Sequence, residues 1–219
     1  MKATDWQQID TVLLDMDGTL LDLHYDNYFW LQHLPSRYAE HHGLSAEQAQ
    51  SELNKSFISL RGTLNWYCLD YWSELTGLDI LALKHEVQDK IGFRPHVQDF
   101  LQQLSLRGKR SVIVTNAHRA GMELKLARTG LAEQVDRIIS SHDYREPKES
   151  QAFWQHLQQD EPFDPQRTLL IDDNISVLQA ASDWGIAHLL TVLQPDSQQP
   201  PQQNSPFPGI HHFNELDID

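Results

Sequence analysis

Cysteine is almost absent from this chain, Cys68 being the only one among 219 residues. No intramolecular disulfide can form, and a reducing compartment is the natural setting. Cys68 lies in Leu64-Asn65-Trp66-Tyr67-Cys68-Leu69, which reads as an aromatic helix face. An inert packing thiol is expected there, because a nucleophile needs a partner His and a polarising environment. Basic residues are also scarce, with 17 Lys and Arg against 31 Asp and Glu and a formal net charge of -14. That balance leaves no footprint for polymeric nucleic acid or for an anionic membrane. A small anionic substrate stays open, since a bound divalent cation and a few local cations reverse the potential of a single pocket. No segment approaches the roughly 18 apolar residues of a membrane span, and the opening MKATDWQQID has no apolar signal core. A cytoplasmic protein with no membrane partner is expected. The sequence holds no internal repeat.

What is present is an alternation. Residues 11–14, 111–114, 168–171 and 188–192 are short apolar runs rich in branched side chains, and 135–140 is a weaker fifth. Such runs suit buried parallel strands. Helical patterns lie between them at 97–106, 120–129, 150–158 and 175–184, the second and fourth stopped by Gly130 and Gly185. Together they predict an α/β fold, a doubly wound parallel sheet with helices on both faces. Residues 22–93 break the alternation with four helical patterns at 28–42, 46–57, 64–76 and 81–91, and read as an all-helical insertion after the first strand. The expected division is therefore a core of residues 1–21 and 94–219 with a helical unit at 22–93. Residues 194–208, rich in Pro, Gln and Ser, are expected to be a flexible loop before a last element at 210–216.

The first strand runs into Asp15-Met16-Asp17-Gly18-Thr19, placing two carboxylates at the carboxyl end of a buried strand, where open α/β sheets bind ligands. By strand parity Asp15 and Asp17 leave the chain on the same side. A polar turn would account for one Asp and a Gly. The strand at 168–171 also ends in acids, Asp172 and Asp173, followed by Asn174. Helix capping explains one such residue but not carboxylates closing two strands. A cluster of this kind repels itself unless a cation neutralises it, and its all-oxygen donors suit a hard ion such as Mg²⁺. The strand at 111–114 leads into Thr115 and Asn116, whose polar groups could hold phosphate oxygens, and Lys148 offers a point charge to the same phosphate. Taken singly, a Thr-Asn pair is a common turn and a lone Lys a common surface group.

In this order the four elements resemble the haloacid dehalogenase superfamily: the DMDGT stretch, the strand end at Thr115, Lys148, and the Asp172-Asp173 pair. The resemblance covers essentially the whole chain and identifies 22–93 with that family's helical cap. One departure is Glu149, where many relatives have Pro after the lysine. The resemblance implies a phosphomonoester hydrolase that works through an aspartyl-phosphate. In that reading Asp15 is nucleophile and metal ligand, and Asp17 is general acid and base, binding the metal through its backbone carbonyl. Asp173 is a direct ligand with Asp172 supporting it, while Thr115, Asn116 and Lys148 hold the phosphoryl group. It further implies Mg²⁺, or Mn²⁺ or Co²⁺ in its place. The substrate is then a small phosphorylated metabolite, and the whole chain looks like a 5′-nucleotidase for the purine nucleoside monophosphates GMP and IMP.

A phosphorylatable receiver module presents its acidic pair on the first strand and its phosphorylated Asp later, the reverse of the order here, and lacks the helical insertion. A dehalogenase lacks the second Asp of the first motif. A sugar-phosphate phosphatase and a phosphomutase share all four motifs. The twelve His include the adjacent pairs His41-His42 and His211-His212. Neighbours on a helix point about 100° apart and do not form a metal face, so solvated histidines are expected. Tyr25, Tyr28, Trp30, Arg61, Trp66, Tyr67 and Trp72 are candidates for a specificity pocket. An aromatic stripe at helical spacing more commonly packs a core.

Overall fold

The computed structural model describes residues 5–218, so Asp219 and the first four residues of the polar N-terminal stretch lie outside the described residues. Six parallel strands form a single sheet: β1 (Thr11–Leu14), β2 (Arg110–Thr115), β3 (Arg137–Ser140), β4 (Thr168–Asp172), β5 (His188–Val192) and β6 (Gly209–Ile210). Their order is β3-β2-β1-β4-β5-β6, which makes the sheet doubly wound, as predicted. The central strands are buried on both faces, so their side chains alternate between two apolar layers. Val12, Leu14, Ile113, Leu169 and Ile171 face one layer. Leu13, Val112, Val114 and Leu170 face the other.

Among the ten α-helices of the described residues, α1 (His24–Tyr28), α2 (Leu34–His42), α3 (Ala46–Leu60), α4 (Leu64–Tyr67), α5 (Leu69–Thr76) and α6 (Ile80–Glu86) lie between β1 and the next helix of the sheet. That helix is α7 (Val97–Leu106), followed by α8 (Arg119–Thr129), α9 (Gln151–Asp160) and α10 (Ile175–Trp184). No strand lies between 24 and 90. Local signals set several ends. Ser45 and Gln48 form a capping box at the start of α3, and the Asn174 side chain caps α10.

Three sequence expectations need correction. The helix expected at 28–42 begins at His24 and carries a π-turn over Phe29–His33, where the Leu34 N–H reaches back to the Phe29 carbonyl. The pattern at 64–76 is broken at Cys68, which is extended (φ -83°, ψ 109°) and not on a helix face. The Trp72 indole N–H donates to the Trp66 carbonyl at 2.9 Å across the break, so tertiary packing replaces the continuous helix. The loop at 194–208 is tied down at its start, where Leu23 N–H donates to the Pro195 carbonyl and Asn27 donates to Asp196 at 2.7 Å. Among the described residues no helix is long and apolar enough to cross a membrane.

Candidate active site

The strand order reverses between β1 and β4, with Leu14 paired to Ile171. The Asp15 N–H donates to the Ile171 carbonyl at 3.0 Å, which sets Asp15 beside Asp172 at the carboxyl edge. Carboxylate oxygens of Asp15, Asp172 and Asp173 lie within 4.8 Å of one another. Gly18 closes the turn beneath them at φ +92°, and a Cβ there would fall 2.7 Å from the Asp173 carboxylate. Both the backbone angle and the close approach demand glycine.

Lys148 is 1% exposed and reaches into this edge. Its Nζ donates to Asp15 at 2.6 Å, to Asp172 at 2.7 Å and to the Val114 carbonyl at 3.0 Å. The loop that carries it is pinned from both sides. Lys148 N–H donates to Asn116 Oδ1 at 2.9 Å, and the Trp154 indole donates to the Lys148 carbonyl at 2.9 Å. Burial raises Asp15 to about 6 even though Lys148 pulls it down. Burial likewise raises Asp172 against the pull of Lys148. Asp173 is pushed well above the carboxylate range by burial and then by the charges of Asp15 and Asp172. Burial works against the charge of Lys148, but its two carboxylates outweigh it and hold the ammonium above its ordinary value. Two carboxylates thus share one buried cation with a third beside them, an arrangement that favours a second positive charge.

Asp17 lines the same cavity, but its carboxylate belongs to a different network. Lys125 Nζ lies 2.7 Å from Asp17 Oδ1, near enough to pair although off the line of a hydrogen bond. Lys125 also pairs with Asp26 at 2.7 Å, and Lys84 pairs with the other Asp26 oxygen at 2.9 Å. Strand parity does not govern Asp17, because the strand ends at Leu14 and a turn follows. Burial raises Asp17 to about 6, opposed by Lys125 and assisted by Asp26.

The sequence reading missed Asp26, Lys84 and Lys125. A signal was present: Lys84 follows the buried Ile80 by four and Lys125 follows the buried Met122 by three, so each lysine stands on an apolar helix face. A cation in such a stripe needs a buried anion.

Thr115 and Asn116 stand at the end of β2, both buried. Thr115 Oγ1 accepts from the Ala117 N–H at 3.0 Å. The Asn116 amide is engaged at both ends, by Lys148 N–H and by Glu149, to which it donates at 3.0 Å. Glu149 also accepts from Asn174 at 3.2 Å and from the Tyr67 hydroxyl at 2.9 Å, so it joins the helical insertion to two loops of the sheet. That is what stands where many relatives have Pro.

The cavity above these groups measures about 290 Å³, at the lower end of ligand pockets. Of the candidate wall residues, Trp30, Trp66 and Tyr67 line it. Tyr25 and Trp72 are buried in the core, and Tyr28 packs against it. Arg61 is exposed after α3 and does not line the cavity. Among the described residues neither His41-His42 nor His211-His212 joins a group of potential metal ligands.

The haloacid dehalogenase-like hydrolase family model matches residues 9–185. The chain is 40% identical over 211 residues to the GMP/IMP nucleotidase YrfG of Escherichia coli (strain K12), covering 96% of this chain and 95% of that protein. Among solved structures, a HAD phosphatase from Thermococcus onnurineus superposes with a TM-score of 0.79 at 21% identity, covering 95% of this chain and 96% of its own. The HAD-hydrolase YfnB from Bacillus subtilis, bound to magnesium, superposes with a TM-score of 0.66 at 19% identity over 95% of this chain and 96% of its own. At these identities the two structures speak for the fold.

Proposed function

The chain belongs to the haloacid dehalogenase-like hydrolases, and from that premise we propose a Mg²⁺-dependent phosphatase that takes purine nucleoside 5′-monophosphates, GMP and IMP foremost, with Asp15 as nucleophile. The observation that carries the chemistry is the buried Lys148 bridging Asp15 and Asp172 beside Asp173 at the strand-order switch. The 40% identity to a GMP/IMP nucleotidase supports the substrate class.

The donor set fits a hard divalent cation: oxygens from three carboxylates, with burial and mutual repulsion raising Asp15 and Asp173. Asp15, Asp173 and the Asp17 backbone carbonyl would hold Mg²⁺, with Asp172 supporting. When bound, Mg²⁺ supplies positive charge against the phosphate oxygens and the nucleophile.

Lys148 screens the approach of a phosphate dianion to Asp15 and keeps the carboxylate aimed. An Asp15 oxygen attacks phosphorus in line, the ester oxygen leaves, and Asp17 protonates it. Water activated by Asp17 then cleaves the aspartyl-phosphate and restores Asp15. Thr115 and the backbone N–H groups of the Thr115-Asn116 turn orient the phosphoryl oxygens. Residues 22–93 act as a cap whose Trp30, Trp66 and Tyr67 present aromatic surface to the base and exclude water.

Asp17→Asn tests the acid. Turnover of alkyl phosphates should fall roughly 10²–10⁴-fold, and the loss should shrink on an aryl phosphate whose leaving group needs less protonation. Equal losses on both esters would remove Asp17 from that role.

Substrate choice is tested by phosphate release across nucleotides and sugar phosphates with Mg²⁺. GMP and IMP should be hydrolysed faster than AMP and faster than hexose phosphates. Trp66→Ala should raise KM for the nucleotides about tenfold, the scale of one base–aromatic stack, while sparing a small aryl phosphate. Hexose phosphates outrunning every nucleotide would reject the nucleotidase assignment and leave the phosphatase chemistry standing.

A further inference from the structure

Cys68, His118 and His142 come from three segments: the break between α4 and α5, the turn after β2, and the short 3₁₀ turn Ser141–Asp143 after β3. One potential ligand atom from each lies within 4.8 Å of the other two. The two imidazoles meet edge to face with centroids 4.9 Å apart. His118 Nδ1 and His142 Nε2 are both buried and have no hydrogen-bond partner. Two such nitrogens cost roughly 1–3 kcal/mol each unless something binds them.

The far side of the His118 ring faces a carboxylate, with His118 Nε2 3.5 Å from Asp70. A carboxylate behind an imidazole is the support that metal-binding histidines use to fix tautomer and direction.

We propose that Cys68, His118 and His142 form a second metal site, selective for Zn²⁺ over Mg²⁺, that clamps the helical insertion to the sheet. Sulfur and imidazole donors suit a borderline-soft ion and reject Mg²⁺, so this site is chemically separate from the carboxylate cluster. Ligands bound at about 2.0–2.3 Å sit roughly 3.3–3.8 Å apart in a tetrahedron. The present cluster reaches that by a contraction of at most about 1.5 Å. Water takes the fourth position.

The clamp has a mechanical consequence. Cys68 belongs to the insertion, while His118 and His142 belong to loops of the sheet. The two sides already touch, since a Cβ on Gly121 of α8 would lie 3.3 Å from Leu69 Cδ1. His118 also lines the cavity over Asp15. Zn²⁺ therefore draws the insertion down on the cavity and slows exchange of substrate and product. This last step rests on the proposed phosphatase activity.

The test uses the full chain in excess Mg²⁺, with Co²⁺ as spectroscopic probe. A thiolate-to-cobalt charge-transfer band should appear in the wild type and in Asp15→Asn, should be absent in Cys68→Ser, and should be discharged by Zn²⁺. Zn²⁺ should inhibit phosphate release by the wild type, and about tenfold more Zn²⁺ should be needed in Cys68→Ser and in His142→Gln. The second variant decides the matter if the first does not fold. Co²⁺ binding without a thiolate band, or Zn²⁺ inhibition undiminished in both variants, overturns the site. Should the chain release no phosphate from any ester, the cobalt band still decides the metal site on its own.

Discussion

An Asp15→Asn variant is expected to release no inorganic phosphate and to trap no phosphoenzyme on acid quenching with a phosphorus-labelled substrate, since an amide oxygen cannot supply the nucleophile. The fold should survive, because the Asn carbonyl can still accept from Lys148, which now donates to Asp15 at 2.6 Å. Stability in the absence of divalent cations should rise at neutral pH. Burial lifts the Asp15 carboxyl from 3.8 to about 6 in the folded chain, a change that corresponds to roughly 3 kcal/mol as an upper bound. A carboxyl raised in this direction contributes its full stability below its unfolded value and loses it as pH climbs through the folded one. The wild type should therefore weaken between about pH 4 and 6 relative to Asp15→Asn, and added Mg²⁺ should offset the loss. Thermal unfolding at pH 4.5 and 7.5, with and without Mg²⁺, reads this directly. Wild-type turnover by the variant, or a variant less stable than wild type at pH 7.5 without metal, would remove Asp15 from the proposed role.

Lys148→Met should reduce activity by more than about 10³-fold. The substitution removes both the charge that admits a phosphate dianion and the group that aims the nucleophile. Its effect on stability should be opposite to that of Asp15→Asn. Methionine fills similar volume but leaves Asp15 and Asp172 buried side by side without the ammonium between them. Breaking a buried pair in this way costs about 3–5 kcal/mol. The cost should appear at neutral pH, where both carboxyls would ionise, and shrink toward pH 4, where protons take the place of the lysine. Mg²⁺ should restore part of the stability while leaving turnover low. Equal unfolding temperatures for Lys148→Met and wild type at pH 7.5 without metal would mean that the lysine does not bridge these carboxylates in solution.

How much of this was legible in the chain depends on the range of the signal. The β-strand runs, the helices between them and the helical stretch after β1 follow from periods of two and 3.6 residues, which are local properties of sequence. Asp15, Asp172 and Asp173 could be placed together because a parallel sheet brings the carboxyl ends of neighbouring strands to one edge, whatever the side chains then do. Lys148 could be assigned only through the order of the motifs, since its partner Asp15 lies 133 residues away.

The rest was decided in three dimensions. That Asp17 turns to Lys125, that Asp26 joins Lys125 to Lys84, and that Glu149 ties Tyr67 to Asn116 are contacts between residues 33 or more positions apart. No period or spacing encodes them. The helix break at Cys68 belongs with them, because the Trp66–Trp72 bond that spans it competes with a local helical preference and wins only in the packed insertion. The meeting of Cys68 with His118 and His142 then follows from where that break falls against two loops of the sheet. Sequence determined which elements form and which chemical groups end them. Tertiary packing alone determined which charged and ligating side chains share a buried space, because those pairings depend on distances between elements, which a linear pattern does not contain.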